Sequence, residues 1–269
     1  MNDNAGAADI GVFGGSGFYS LFEHVEEVKL DTPFGAPSAP ITIGEIDGRR
    51  VAFLPRHGRD HEFLPSQIPA KANLWAMRML GVQRLIGPCA AGSLSPEVRP
   101  GDFVALDQLV DRTWGRPDTF FDRGLAHHVS FADPYCPELR AVAGAAAAHC
   151  DVFMHERGTV VVIPGPRFAT RAESRAHRAA GFEVINMTQY PEAYLARELG
   201  ICYCGIALIT DHDTGVETAP DVLPVTQEQV FAVFENNLDR VRDLIAAMTV
   251  AIPRERSCAC GGSVGPLPS

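Results

Sequence analysis

Ile201-Cys-Tyr-Cys-Gly-Ile-Ala-Leu-Ile209, followed at once by Thr210-Asp211-His212-Asp213, is the stretch that decides the fold. A short, unbroken apolar run rich in β-formers reads as a buried strand. The acidic pair stands where that strand should end, which is how an open α/β sheet presents chemistry at its carboxyl edge. A carboxyl group whose pKa is raised by burial can share a proton with a heteroaromatic nitrogen. The pattern therefore points to an enzyme acting on a nitrogen heterocycle.

Outward from this stretch, strands and helices alternate. Residues 8–13 read as a first strand running into Gly14-Gly15-Ser16-Gly17, and 41–46 with 50–54 as a hairpin around Asp47-Gly48. Arg56-His57-Gly58 follows directly. Helical spacing over 68–80 ends at Gly81, and Leu85-Ile86-Gly87 leads into a small-residue loop at 89–93. A strand is expected at 103–111. Residues 112–135 form a long loop with His127-His128 and no clear period, a kind that is usually functional or covers an interface. Helices are expected at 139–149, 172–180 and 192–199, strands at 158–163 and 183–186, and one closing helix at 227–248. No repeat or linker divides the 269 residues, so the expectation is a single α/β domain over 1–253. Residues 254–269 have the composition of a flexible tail.

With 46% hydrophobic and 21% charged residues, the chain has an ordinary globular composition. Its formal charge of −10 argues against nucleic acid or an anionic membrane as the main partner, while leaving room for one small anion in a local basic pocket. No stretch approaches a transmembrane length, and residues 1–9 lack the regions of a signal peptide, so a cytoplasmic location is expected. Cys89, Cys136, Cys150, Cys202 and Cys204 lie in or beside apolar segments, like buried free thiols of a reducing compartment. Cys258-Ala-Cys260 sits in the Gly-rich tail, and two isolated thiols make a poor zinc site.

The strand–glycine turn with Ser16 suits a phosphate oxygen, though it is neither a P-loop nor a dinucleotide fingerprint, and a plain tight turn competes with that reading. Arg56 offers a planar fork for phosphate and His57 a second donor or positioning group, against a surface salt bridge as the bland alternative. Thr188 could offer a hydroxyl and N–H, and Met187 an apolar face for a sugar. Each fragment ends a strand of an alternating chain, so they can converge on one edge. Asp211 and Asp213 lack a third and fourth metal ligand, and His212 would point to the opposite face of an extended segment. No Gly-x-Ser-x-Gly elbow suggests a serine hydrolase.

Taken in order, Gly14-Gly15-Ser16-Gly17, Pro55-Arg56-His57-Gly58, Ala91-Gly92-Ser93-Leu94, Pro100-Gly101-Asp102, Gly165-Pro166-Arg167-Phe168, Asn186-Met187-Thr188 with Pro191-Glu192, and Thr210-Asp211-His212-Asp213 resemble the trimeric purine nucleoside phosphorylase family, in its 5′-methylthioadenosine phosphorylase branch. The resemblance spans roughly residues 8–250. It implies a single α/β domain around a mixed, distorted barrel-like sheet flanked by helices, assembled as a homotrimer. It also implies a phosphate site of Ser16, Arg56, His57, Cys89, Ala90 and Thr188. Met187 would lie against the ribose, Phe168 near the base, and Asp211 and Asp213 at the purine N7 and 6-substituent. His128 would reach the 5′ pocket of a neighbouring subunit, and Val230 would suit a methylthio group.

The implied reaction is phosphorolysis of 5′-methylthioadenosine to adenine and 5-methylthioribose 1-phosphate, with no metal or organic cofactor and phosphate as co-substrate. Asp211 would act as the general acid, with Asp213 beside it keeping its pKa high. Aspartate at 211 and alanine at 169, where 6-oxopurine enzymes of the family tend to place asparagine and glutamate, favour a 6-aminopurine. Three departures stand out: Ser16 and Cys89 replace threonines, and Gln227 replaces an apolar residue. The alternatives are a purine nucleoside phosphorylase for adenosine or 6-oxopurine nucleosides and a non-catalytic nucleoside-binding protein.

Overall fold

In the computed structural model the described residues are 7–14, 23–122, 126–216 and 224–264. The chain begins with β1 (Ile10–Gly14), β2 (Glu23–Val28), β3 (Ile41–Ile46) and β4 (Arg49–Pro55), then α1 (Ala70–Met79) and β5 (Arg84–Ser93). Next come β6 (Phe103–Ala105), β7 (Gln108–Asp111), α2 (Pro137–His149), β8 (Met154–His155), β9 (Thr159–Val162) and α3 (Arg171–Ala179). β10 (Val184–Asn186), α4 (Gln189–Glu198), β11 (Cys202–His212), α5 (Gln227–Asn236), α6 (Leu238–Ala251) and a 3-10 turn at Ala259–Ser263 complete it. Among the described residues no helix is long and apolar enough to cross a membrane.

The strands form one mixed, branched sheet that stays open at its ends, with the path β2-β3-β4-β1-β5-β10-β9-β7. β5 is the branch point. It pairs parallel with β1 over Arg84–Ile86 and antiparallel with β10 at Gly92 and Ser93. Along its other side it pairs parallel with β11 from Arg84 to Ser93. Between residues 86 and 92, therefore, one side of β5 has no strand partner among the described residues, and a cleft opens there. This is the switch-point geometry at which α/β sheets bind ligands.

β11 is apolar from Cys202 to Ile209 because both its faces are covered there. Tyr203, Ala207 and Ile209 belong to one core cluster, and Cys202, Cys204, Ile206 and Leu208 to another. Asp47 and Gly48, both at positive φ, close the β3–β4 hairpin as expected.

Several expectations need correction. The stretch 89–93 is not a loop but the second half of β5, held by its ladder with β11. The strand expected at 103–111 is two, because the chain changes partners at Leu106-Asp107: β6 pairs with β11 and β8, β7 with β9. The helix expected at 227–248 breaks at Asn237, whose side chain donates to the Val233 carbonyl at 2.9 Å. The tail also departs from its reading. Residues 254–264 fold back onto the domain, with Cys260 only 3% exposed and Arg256 donating to the Gly200 carbonyl at 2.9 Å. A Gly-rich composition conceals such docking, because backbone and cysteine contacts, not apolar side chains, supply it.

Gly87 and Gly205 face each other in the β5–β11 register. A Cβ at 87 would stand 2.2 Å from the Tyr203 hydroxyl, which is tied to Glu192 at 2.7 Å. Gly87→Ala is expected to destabilise the fold by about 1–3 kcal/mol through overpacking. Urea unfolding measures this, and an unchanged midpoint would mean that the ring can move aside.

Candidate active site

Arg56, His57, Cys89, Ala90, Phe168, Met187, Thr188, Asp211, Asp213 and Val230 all line one cleft of about 710 Å³ at the branch of the sheet. Of the other expected site residues, Ser16 lies outside the described residues, and His128 is exposed and does not line this cleft. His212 is also absent from the lining, as its place in the strand led one to expect.

One end of the cleft is built around Arg56, which follows β4 and is buried. Its Nε and Nη2 donate to the two carboxylate oxygens of Glu192 at 2.7 and 3.1 Å, and Nη1 donates to the Pro88 carbonyl at 2.7 Å. Burial alone would lower its pKa, but the Glu192 carboxylate more than reverses this, so the guanidinium stays charged. The fork expected to meet phosphate is thus occupied by Glu192. Of the five guanidinium hydrogens, only those not engaged by Glu192 and Pro88 can turn to a ligand.

His57 Nδ1 lies 2.8 Å from the Phe63 carbonyl, so it carries the proton and donates, leaving Nε2 as an acceptor. Burial pulls its pKa down to about 4, with Arg56 adding to the effect, so the ring is neutral at pH 7. His61 stacks on it at 4.3 Å and meets Phe231 of α5 edge-on at 5.7 Å. The Cys89 thiol accepts from Asn186 Nδ2 at 3.3 Å and Gln189 Nε2 at 3.5 Å, and burial raises its pKa to about 11. It is a neutral spacer. Thr188 precedes α4, and its hydroxyl makes no capping bond there.

The other end carries the carboxylates. The β5–β11 register slips between Ile209 and Asp211, a bulge that lets the neighbours Thr210 and Asp211 both reach the cleft. In a regular strand they would face opposite sides. Asp211 accepts from the Thr210 hydroxyl at 2.7 Å. Burial raises its pKa to about 6; Asp213 adds a smaller push in the same direction. Asp213 thus helps to keep the Asp211 pKa high, as expected, with burial the larger cause. Asp213 is buried, its own pKa raised by burial, and its Oδ2 has no hydrogen-bond partner among the described residues. Gly92 keeps the space open: a Cβ there would lie 3.1 Å from Asp211 Oδ2. α3 supports this end through Thr170 and Glu173, which form a capping box at its N-terminus, and through Ser174, which accepts from the Gly215 N–H at 3.0 Å.

Phe168, Ala169 and Met187 wall the middle, and α5 closes the mouth with Gln227, Val230, Phe231 and Phe234. Reading the sequence missed Glu192 as the partner of Arg56, Asn186 with its unpaired buried Oδ1, and the His61–Phe231 contact. A carboxylate next to Pro191 and ahead of the apolar residues 193–196 was the available sign for Glu192, since a buried charge needs an opposite one.

A family model described as the phosphorylase superfamily matches residues 9–252. The chain is 53% identical over 250 residues to the S-methyl-5′-thioadenosine phosphorylase of Mycolicibacterium smegmatis, with 93% of each chain covered. It is 50% identical over 269 residues to the purine nucleoside phosphorylase of Streptomyces coelicolor, covering 96% of this chain and 95% of that one. A solved methylthioadenosine phosphorylase from an antarctic soil metagenomic library superposes with a TM-score of 0.90 at 38% identity, covering 96% and 91% of the two chains. The Schistosoma mansoni methylthioadenosine phosphorylase in complex with adenine gives 0.87 at 34% identity, with 93% of each covered.

Because the Asp211 pKa is raised on folding from an ordinary 3.8 to about 6, its ionisation opposes folding. The folded state keeps its full stability below pH 4 and loses part of it as pH rises through 6. Asp211→Asn is therefore expected to be more stable than the parent by about 3 kcal/mol at pH 8 and about equal to it near pH 4. Urea unfolding across that range measures the difference. A gap independent of pH would show that burial does not control this carboxyl.

Proposed function

The chain belongs to the phosphorylase superfamily, and from that membership and the cleft we propose that it catalyses phosphorolysis of S-methyl-5′-thioadenosine to adenine and 5-methylthioribose 1-phosphate. The observation that carries this reading is Asp211, a carboxyl held near pKa 6 by burial in the same cleft as Arg56, His57 and Thr188. At pH 7 about a tenth of such a group is protonated before substrate arrives, and excluding water with a nucleoside raises that share. The relatives named as methylthioadenosine phosphorylases support the substrate.

Phosphate occupies the polar end, against Thr188, the remaining Arg56 hydrogens and the backbone of Cys89 and Ala90. His57 Nε2 accepts a phosphate hydroxyl. A phosphate oxygen forms the new bond to C1′ as the C1′–N9 bond breaks, and its electron pair leaves with adenine. The anion stabilises the positive charge developing on the ribosyl group. Asp211 delivers its proton to N7, a contribution of about 10²–10⁴-fold for a general acid. Asp213, with its unpaired Oδ2, accepts from the 6-amino group. Met187 packs on the ribose and Phe168 by the base. None of these steps draws on a metal or an organic cofactor.

We assign the 5′-methylthio group to the Val230 side of α5, completed by His128 of a second copy in a homotrimer. Trp114, 80% exposed on the long loop that also carries His128, supports contact between copies at that loop. A second reading rests on Gln227, a polar side chain lining the cleft on the same helix face region as Val230. It would suit a 5′-hydroxyl, and one 50% identical relative is named as a purine nucleoside phosphorylase.

The test is release of adenine from methylthioadenosine with and without phosphate, beside hypoxanthine from inosine. Release that depends on phosphate, and a kcat/KM falling by about 10²–10⁴-fold in Asp211→Asn, are expected. Turnover of inosine well above methylthioadenosine would favour the second reading. No release from either nucleoside would remove both.

A further inference from the structure

At the opposite end of β11 from Asp211, roughly 30 Å away by the rise of a strand, the fold gathers four thiols. The Sγ atoms of Cys136, Cys202, Cys258 and Cys260 all lie within 4.8 Å of one another, and Cys202 and Cys258 approach to 3.3 Å. They come from three separate places: the residue capping α2, the first residue of β11, and the C-terminal segment. Reading the sequence left Cys258 and Cys260 as two isolated thiols; the fold supplies the missing pair.

We propose that Cys136, Cys202, Cys258 and Cys260 form a tetrathiolate site for one zinc ion, which fastens the C-terminal segment to the start of β11. Tetrahedral zinc with Zn–S bonds of about 2.3 Å sets its sulfurs about 3.8 Å apart, within the spread seen here. The mutual distances of the four atoms are short enough for all of them to reach a single ion. The surroundings fit an anionic cluster, since four thiolates around Zn²⁺ carry a net charge of −2. Arg84, buried at 2% exposure, donates from Nη1 to Cys202 Sγ at 3.3 Å, and Cys136 stands at the positive N-terminal end of α2. Two neutral disulfides would need neither.

The segment is also held as a clamp would hold it. Arg84 Nη2 reaches the Pro253 carbonyl at 3.4 Å, and the Ser257 hydroxyl donates to Glu138 at 2.7 Å. The spacing Cys-x-Cys is tighter than that of common zinc motifs, and the two remaining ligands come from distant parts of the chain. Such a site is a product of the tertiary fold.

The test is metal content by mass spectrometry of protein purified without chelator from zinc-containing medium. About one zinc per chain is expected, released on titration with a mercurial thiol reagent. The pair Cys258→Ser with Cys260→Ser should fall to under about a tenth of that, while Cys150→Ser, outside the cluster, retains it. Should the double variant not fold, cobalt added to the parent protein should give the intense visible bands of a tetrahedral thiolate site. Zinc-free protein whose intact mass lacks the hydrogens of one or two bridges would overturn the proposal in favour of disulfides. Zinc-free protein with all its thiols titratable and no cobalt bands would overturn it as well. Nucleoside cleavage plays no part in these measurements, so they stand or fall apart from the proposed reaction.

Discussion

The ion pair between Arg56 and Glu192 is the interaction on which the cleft depends. Both side chains are almost wholly buried, at 4% and 2% exposure, so neither charge could persist alone. The pair joins the end of β4 to α4. Through the Pro88 carbonyl and the Tyr203 hydroxyl it also reaches β5 and β11. Four elements are thereby fixed around the gap in the sheet. Desolvating two charges is costly, and an apolar pair could stabilise the fold equally well. What the ion pair adds is orientation: it leaves a charged, hydrogen-bonding surface at a defined place in an otherwise apolar wall.

That pairing has a chemical consequence. With Glu192 balancing Arg56 and His57 neutral, these two residues bring little net positive charge to this end of the cleft. An anion there is met by N–H and O–H dipoles, not neutralised by an unpaired cation formed from these residues. Its charge stays available to the electron-poor sugar carbon beside it. At the far end burial favours the neutral form of two carboxyls, so near neutral pH Asp211 keeps a share of its proton that a water-exposed aspartate would have lost. The bulge after Ile209 brings Asp211 to the cleft, and the absence of a side chain at Gly92 leaves room for its carboxyl.

Much of this was legible in the chain. The run 201–209 marked the central strand because a strand covered on both faces has no polar alternation to blur it. Strand-end motifs around Arg56 and Asp211 share one carboxyl edge because β4, β1, β5 and β11 run parallel, whereas Asn186 arrives on β10, antiparallel to the end of β5. Other features depend on distant partners and leave little local trace. Residues 89–93 lack side chains that distinguish strand from loop, and only pairing with β11 decides. The break at Asn237 arises where α5 leaves the cleft and α6 joins the core, a change of partner that a continuous apolar period hides. Glu192 and Cys260 belong with residues more than a hundred positions away, Arg56 and Cys136, and nothing near them names those partners.

β11 carries opposite demands at its two ends. Its carboxyl end holds Asp211 and Asp213 in surroundings that disfavour their charged forms, a standing cost to stability of the kind that functional groups impose. Such groups keep their positions only if the strand bearing them cannot slide or fray. The ladder with β5 along its length and the burial of both faces resist sliding. Fraying is opposed at the amino end, where Cys202 is enclosed by the start of α2 and the returning C-terminal segment. A one-residue slip would turn every apolar side chain of β11 to the wrong face, so fastening one end of this strand also fixes the carboxyls at the other.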